Sequence, residues 1–382
     1  MHRRNFLALS GSALVASNGL ARESVDAVWA RDFDGFVNNR LAVTHTPGLS
    51  VAMVRGGRTV FSRGYGYASI ETARRVTADA VFQIASLSKT VTATALMMLW
   101  QDGAFKLDDP ITAHAGFSVM HPKFPDVPIT FRHLFTHTSG ISDTLYDTLD
   151  FSTAPIQPLP DFLASYLSPG GRLYESAKCY SAMKPGTQWS YSNVAVALLG
   201  YLAGRVGRIP LETLTQNRLF GPLGLRNTAW RYEGIADERL ALPYSFENAR
   251  YRRLPRNAYP DWPAGLLCTS ANDFAKILAV YTQDGGGFLK PQTVATMLTP
   301  DPVVIDAAHP QLRQGLIWRL RDWNGDHLAS HPGGDPGTAI IAAFDADRHC
   351  GALAFANAYG GSDFALFQKE VMTRLLDKAG SA

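Results

Sequence analysis

Ser86-Leu87-Ser88-Lys89 sets a hydroxyl and an amine three residues apart, on one face of any helix that holds them. A serine hydroxyl is too weakly acidic to attack a carbonyl unaided. A neighbouring amine that takes its proton turns it into a nucleophile. The same pattern recurs at Ser181-Ala182-Met183-Lys184, but there it runs into Pro185-Gly186. That pair ends any helix and leaves the second copy in a loop. Ser86 is instead followed by Val91, Ala95, Leu96, Met98 and Leu99, an apolar stripe that would anchor a helix rigidly. Ser86 is therefore the expected nucleophile and Lys89 its partner base or proton relay. At a helix N-terminus the Ser86 N–H is also a suitable oxyanion donor.

The elements that must hold this pair follow from hydrophobic periodicity. Val25, Val28, Trp29, Phe33, Phe36 and Val37 recur at helical spacing. Leu49 to Val54 and Thr59 to Arg63 read as strands joined through Gly56-Gly57. The Ser86 helix stops near Gly103. From 106 to 285 the pattern turns to helices and long loops, with helices expected around 131–137, 161–167, 193–206, 211–219 and 271–282. Strands return at Gly315–Trp323 and His327–His331, flanking Asn324-Gly325-Asp326, then at Thr338–Phe344 and Cys350–Asn357. A last amphipathic helix carries Phe364, Phe367, Val371 and Leu375. Strands at both ends predict an α+β fold: one antiparallel sheet built from 22–105 plus 286–382, flanked by the terminal helices. Residues 106–285 would form an inserted, mostly helical lobe.

Two further motifs sit at intervals along the chain. Tyr191-Ser192-Asn193 follows Pro185-Gly186-Thr187-Gln188-Trp189, and His331-Pro332-Gly333-Gly334 follows an expected strand. Ser-x-x-Lys, Tyr-x-Asn and a basic residue-x-Gly, in this order, resemble the serine β-lactamase and penicillin-binding-protein superfamily. The similarity is strongest to its class C β-lactamase-like branch, which also holds esterases, D-aminopeptidases and DD-peptidases. Val81-Phe82-Gln83-Ile84-Ala85, Leu107-Asp108-Asp109-Pro110, Leu134 to Gly140, Pro222-Leu223-Gly224-Leu225 and Pro263-Ala264-Gly265 match the same branch. The resemblance covers nearly the whole chain after its first residues. It implies a cleft between two lobes, with Tyr191 entering beside Lys89 as the other group able to take the Ser86 proton. It makes Asn193 the residue that holds Lys89 or a substrate amide, a role compatible with its also capping the helix over 194–206. Gly333 would let backbone approach the substrate, and the Gly334 N–H would be the second oxyanion donor.

His331-Pro332-Gly333 departs from the Lys-Thr/Ser-Gly of true β-lactamases. Histidine is mostly neutral at pH 7, and proline brings no hydroxyl to bind a substrate carboxylate. The expected activity is therefore hydrolysis of an ester or amide through a Ser86 acyl-enzyme, of esterase or peptidase type. A class C-like β-lactamase or DD-peptidase is the alternative within that chemistry, and a non-catalytic binder of cell-wall peptides the alternative outside it.

Composition bounds the rest. The 382 residues are 46% hydrophobic and 18% charged, with a formal charge of +3. That is a globular balance with no basic run to suggest nucleic acid. Arg3-Arg4-Asn5-Phe6-Leu7, an apolar stretch from Phe6 to Ala16 and Gly19-Leu20-Ala21 read as an export signal cleaved near residue 21, of twin-arginine type or, since Sec signals can also carry two arginines, of Sec type. A periplasmic or secreted protein without stable membrane insertion is expected. Cys179, Cys268 and Cys350 lack metal spacing. His133 and His137 are four apart, but Glu is missing at 134, so neither metal nor cofactor is expected. The partner expected is a small ester, amide or peptide substrate.

Overall fold

The computed structural model describes residues 14–150, 157–323, 326–358 and 360–381. The twin arginines and most of the expected signal lie outside the described residues, as does the Asn324-Gly325 turn. Eight strands form the main sheet: β1 (Gly48–Arg55), β2 (Arg58–Ser69), β3 (Arg74–Arg75), β4 (Arg313–Gln314), β5 (Arg319–Trp323), β6 (Asp326–Asp335), β7 (Thr338–Asp345) and β8 (Cys350–Ala356). Their order is β3-β2-β1-β8-β7-β6-β5-β4. All neighbours are antiparallel, and β1 joins the two chain ends by pairing with β8 from Leu49↔Ala356 to Arg55↔Cys350.

Period-two alternation sends successive β1 side chains to opposite faces. Leu49, Val51 and Met53 meet Phe33, Val37 and Leu41 of helix α1 (Leu14–Val43), together with the last helix. Ala52 and Val54 face the larger core. The expected strand over Gly315–Trp323 is broken, because Ile317 has φ 69° and the chain leaves the sheet between β4 and β5.

Helix α2 (Ser88–Gln101) is buried from Ser88 through Leu99, so it runs through the centre of the molecule. It packs on helix α3 (Asn193–Gly207), which forms the spine of the helical region. Helix α4 (Ala271–Tyr281) lies in sequence with that region but packs against β1, β2 and β8. Helix α5 (Ser362–Gly380) covers the opposite face of the sheet beside α1. A small sheet was not anticipated: Val81–Gln83 pairs with Cys268–Ser270, which also pairs with Thr228–Ala229. It ties the approach to Ser86 to both ends of the segment between Ala229 and Cys268. Among the described residues no single helix is long and apolar enough to cross a membrane.

Candidate active site

Ser86 lies in a 3₁₀ turn, Ala85–Leu87, one step before α2 rather than inside it. Ala85 has φ 43°, a left-handed conformation that costs a non-glycine residue of order 1–3 kcal/mol. The tight turn still puts Lys89 beneath Ser86, with Nζ 3.1 Å from Ser86 Oγ. Lys89 is fully buried. Its amine also donates to Asn193 Oδ1 at 2.7 Å and to the Ala264 carbonyl at 2.7 Å. These acceptors match the three N–H donors of an ammonium, and they fix its position from three separate segments. The second Ser-x-x-Lys lies outside any helix, with Lys184 exposed.

Tyr191 stands over this group, with Lys89 Nζ 5.0 Å from its ring centroid. Asn193 is the first residue of α3, and it does not cap the helix. Ser192 does so, accepting from the Ala195 N–H at 3.0 Å, which leaves the Asn193 side chain for Lys89. The helix end is completed by Asp143, which takes the Ser192 hydroxyl and the Asn193 and Val194 N–H groups. Burial still pushes the Asp143 carboxyl above the ordinary carboxylate range. Asp261, beside the Trp262–Ala264 turn, accepts from Tyr146 at 2.7 Å. Burial pushes its carboxyl up to about 6.

The other wall is β6. Its pairing with β5 ends at Ser330↔Arg319, so His331 to Asp335 present an open edge to the Ser86 turn. Pro332 sits on that edge, where a missing N–H costs no ladder bond. A Cβ on Gly333 would lie 2.4 Å from the Ile84 carbonyl and 3.3 Å from Ser86 N, so only glycine permits this approach. Gly334 is exposed beside it. Ser86, Tyr191, Arg319, His331, Pro332, Gly333 and Gly334 line one cleft of about 470 Å³.

His331 is buried, with Nδ1 2.7 Å from the Pro332 carbonyl. Burial, then Arg319 and Lys89, hold it well below the usual histidine range, so it is neutral as its sequence context suggested. The cation of this wall is Arg319 on β5, whose guanidinium lies 5.8 Å from the Tyr191 ring. Strand alternation alone does not mark Arg319 as a cleft residue; the break after Gln314 sets its direction. His133 and His137 do not act as a pair. His133 Nδ1 faces the Thr130 N–H in a capping box, and His137 Nδ1 faces the Ser192 N–H.

Residues 33–373 match the family model for Beta-lactamase. The chain belongs to the beta-lactamase family. Among relatives of this family, it is 28% identical over 226 residues to the D-alanyl-D-alanine-carboxypeptidase/endopeptidase AmpH of Escherichia coli K12, covering 59% of this chain and 56% of that protein. The chain spans about half the length of the curated relatives it matches. The beta-lactamase fold recurs in the octameric penicillin-binding protein homologue from Pyrococcus abyssi. The TM-score there is 0.77 at 22% identity, covering 92% of this chain and 78% of that one. It recurs in EstCE1, a hydrolase with promiscuous acyltransferase activity, at TM-score 0.74 and 21% identity, covering 94% and 100%.

Proposed function

We propose that the protein is an exported serine hydrolase that cleaves an ester or amide through a Ser86 acyl-enzyme. The observation that carries this reading is the buried Lys89 amine, held by Asn193 and Ala264 with its third contact on Ser86 Oγ. Burying a charge is costly unless it is fully partnered, and here one of the partners is a hydroxyl at the cleft. In acylation Ser86 Oγ bonds to the substrate carbonyl carbon and its proton passes to the Lys89–Tyr191 pair. The same proton then goes to the leaving alcohol or amine. Water reverses the sequence and frees the acid. Backbone N–H groups of Ser86 and Gly334 serve the oxyanion. The match to AmpH and the fold shared with EstCE1 support hydrolysis of this kind without choosing the substrate.

Pro332 contributes no hydroxyl for a substrate carboxylate, and losing one charged hydrogen bond costs roughly 1.5–3 kcal/mol. Short-chain esters should therefore be turned over ahead of β-lactams. Measured at pH 7, kcat/KM for p-nitrophenyl acetate or butyrate should exceed that for nitrocefin; the reverse order overturns the esterase reading. Arg319 favours a second reading, a peptidase acting beside a free carboxylate, since it offers a cation that His331 does not. On that reading Arg319→Ala raises KM for carboxylated D-peptides about tenfold more than for neutral esters.

Export belongs to the same proposal and rests on the sequence of residues 1–21. In the native host the exported protein should begin near Arg22. Arg3→Lys with Arg4→Lys should strand it in the cytoplasm, and unimpaired export of that variant would exclude the twin-arginine route.

A further inference from the structure

Gln83 lies three residues before Ser86, on the short strand Val81–Gln83, and it is buried. Its side-chain amide makes four hydrogen bonds, the full capacity of such a group. Nε2 donates to the Gly265 carbonyl at 3.0 Å and to Asp335 Oδ2 at 2.8 Å. Oε1 accepts from the Tyr232 hydroxyl at 3.1 Å and from Asn257 Nδ2 at 3.1 Å. A carbonyl and a carboxylate only accept, so they fix which end of the amide faces them. None of these contacts enters the acylation steps above.

The partners differ in how much they depend on Gln83. Gly265 follows Ala264, whose carbonyl holds Lys89, but the chain beside it is anchored independently. There the Leu267 carbonyl takes the Ile84 N–H, and the Leu267 N–H donates to Ser88 Oγ. Asp335 lies at the end of β6, where the ladder gives support on one side. β6 pairs with β7 as far as Asp335↔Thr338, whereas its pairing with β5 stops at Ser330↔Arg319. On that open edge the Gln83–Asp335 bond ties β6 to the strand that leads into Ser86. Tyr259 adds a longer bond to Asp335, at 3.3 Å. Gly333 and Gly334 lie directly before Asp335, so the tie closes the stretch that packs against the Ser86 turn.

We infer that Gln83 and Asp335 form a latch that sets the distance between the Gly334 N–H and Ser86, and with it the fit of the oxyanion hole. Both are positioning residues, acting through β6 and the Ser86 turn. The functional part of the inference rests on the reading of Ser86 as nucleophile and Gly334 as oxyanion donor. Burial pushes the Asp335 carboxyl up to about 6, opposed by the Gln83 bond, the Lys89 charge from α2 and the Tyr259 bond. Tyr232 and Tyr259, the phenols around it, are themselves pushed up by burial and stay protonated at neutral pH. Asp335 is thus ionised at pH 8 and accepts from Gln83 there. In Gln83→Glu two carboxylates would meet across this bond and repel each other until they share a proton. That latch is open at high pH and closes as the pH falls.

The test uses the full chain and p-nitrophenyl butyrate. Asp335→Ala leaves Gln83 three of its bonds and should lower kcat about tenfold or more while changing KM little, since oxyanion contacts matter most in the transition state. Asp335→Asn keeps an acceptor for Gln83 and should stay within about threefold of the wild type. Gln83→Glu should lose about tenfold or more in kcat at pH 8, relative to the wild type, and regain most of it towards pH 6. Adding Asp335→Asn to Gln83→Glu puts a donor opposite the new carboxylate. The double variant should exceed Gln83→Glu alone about fivefold or more at pH 8, as coupled partners require. Carbon-13 labelling of aspartate reads the bond itself, with Asp335 assigned by its loss in Asp335→Asn. Removing the donor in Gln83→Leu should raise the Asp335 midpoint. Asp335 is half-buried at a strand end, so Asp335→Ala keeps the test decisive if substitutions at Gln83 do not fold. An Asp335 titration indifferent to Gln83→Leu overturns the latch. A shifted titration with unchanged kcat in folded Asp335→Ala, or no recovery in the double variant, overturns the positioning role. Full turnover by Ser86→Ala would sink the acyl-enzyme reading while leaving the bond standing in the spectrum.

Discussion

Ser86→Ala is expected to abolish covalent labelling by a fluorophosphonate and to lower kcat by about ten-thousandfold or more, the loss typical of removing one member of a cooperating catalytic unit. The substitution takes away the atom to which the acyl group must bond. It leaves Lys89 with Asn193 and Ala264 as partners, so the buried amine stays held and the fold should survive. Ser181→Ala is the matched control, since its Lys184 is exposed on a loop and nothing there buries or directs the amine. Intact-mass analysis followed by peptide mapping reads the result. An adduct on any residue but Ser86, or residual turnover near the wild-type rate, would refute the assignment.

The contact between Ser86 and Lys89 was legible in the sequence because both belong to one turn of chain. Local spacing fixes their relation whether the turn is 3₁₀, as at Ala85–Leu87, or α-helical. Asn193 and Gly333 were legible through short motifs, although what each one touches was not. The Lys89–Asn193 bond spans 104 positions, and the Gly333 contact depends on where β6 stops pairing with β5. The parts that escaped notice have no local signature. Ala264 contributes only a carbonyl, which any residue type offers. Asp143 caps α3 from 49 positions before Ser192, so no capping pattern at 192–196 could announce it. Arg319 took its direction from a strand break at Ile317, where a positive φ on a β-branched residue runs against its propensity. The small sheet beside Ser86 is built from strands of two or three residues, too short for alternation to register. The main sheet was readable because its strands are long and its two halves flank the helical stretch.

Gly333→Ala should lower kcat on the order of a hundredfold, though it changes a residue with no side chain. The added Cβ would sit 2.4 Å from the Ile84 carbonyl oxygen and 3.2 Å from Leu87 N, both backbone atoms of the segment that holds Ser86. Backbone cannot rotate aside as a flexible side chain does, so either β6 or the Ser86 turn must move. The turn has little freedom. Ile84 N–H is bonded to the Leu267 carbonyl and Leu87 N–H to the Ile84 carbonyl, while α2 behind it is buried over three turns. The strand should therefore yield, carrying Gly334 and His331 away from Ser86. A displacement of about 1 Å between reacting groups costs on the order of a hundredfold in rate. The loss should fall mainly on kcat, because the oxyanion contact matters most in the transition state. Gly35→Ala is the control: its Cβ would meet nothing within 4 Å, and it lies at an exposed position inside helix α1, where alanine is favoured. Kinetics on p-nitrophenyl butyrate, with circular dichroism to confirm folding, decide the matter. A folded Gly333→Ala enzyme within about fivefold of the wild type in kcat would mean that the β6 edge does not form the cleft wall against which the Ser86 acyl group is made.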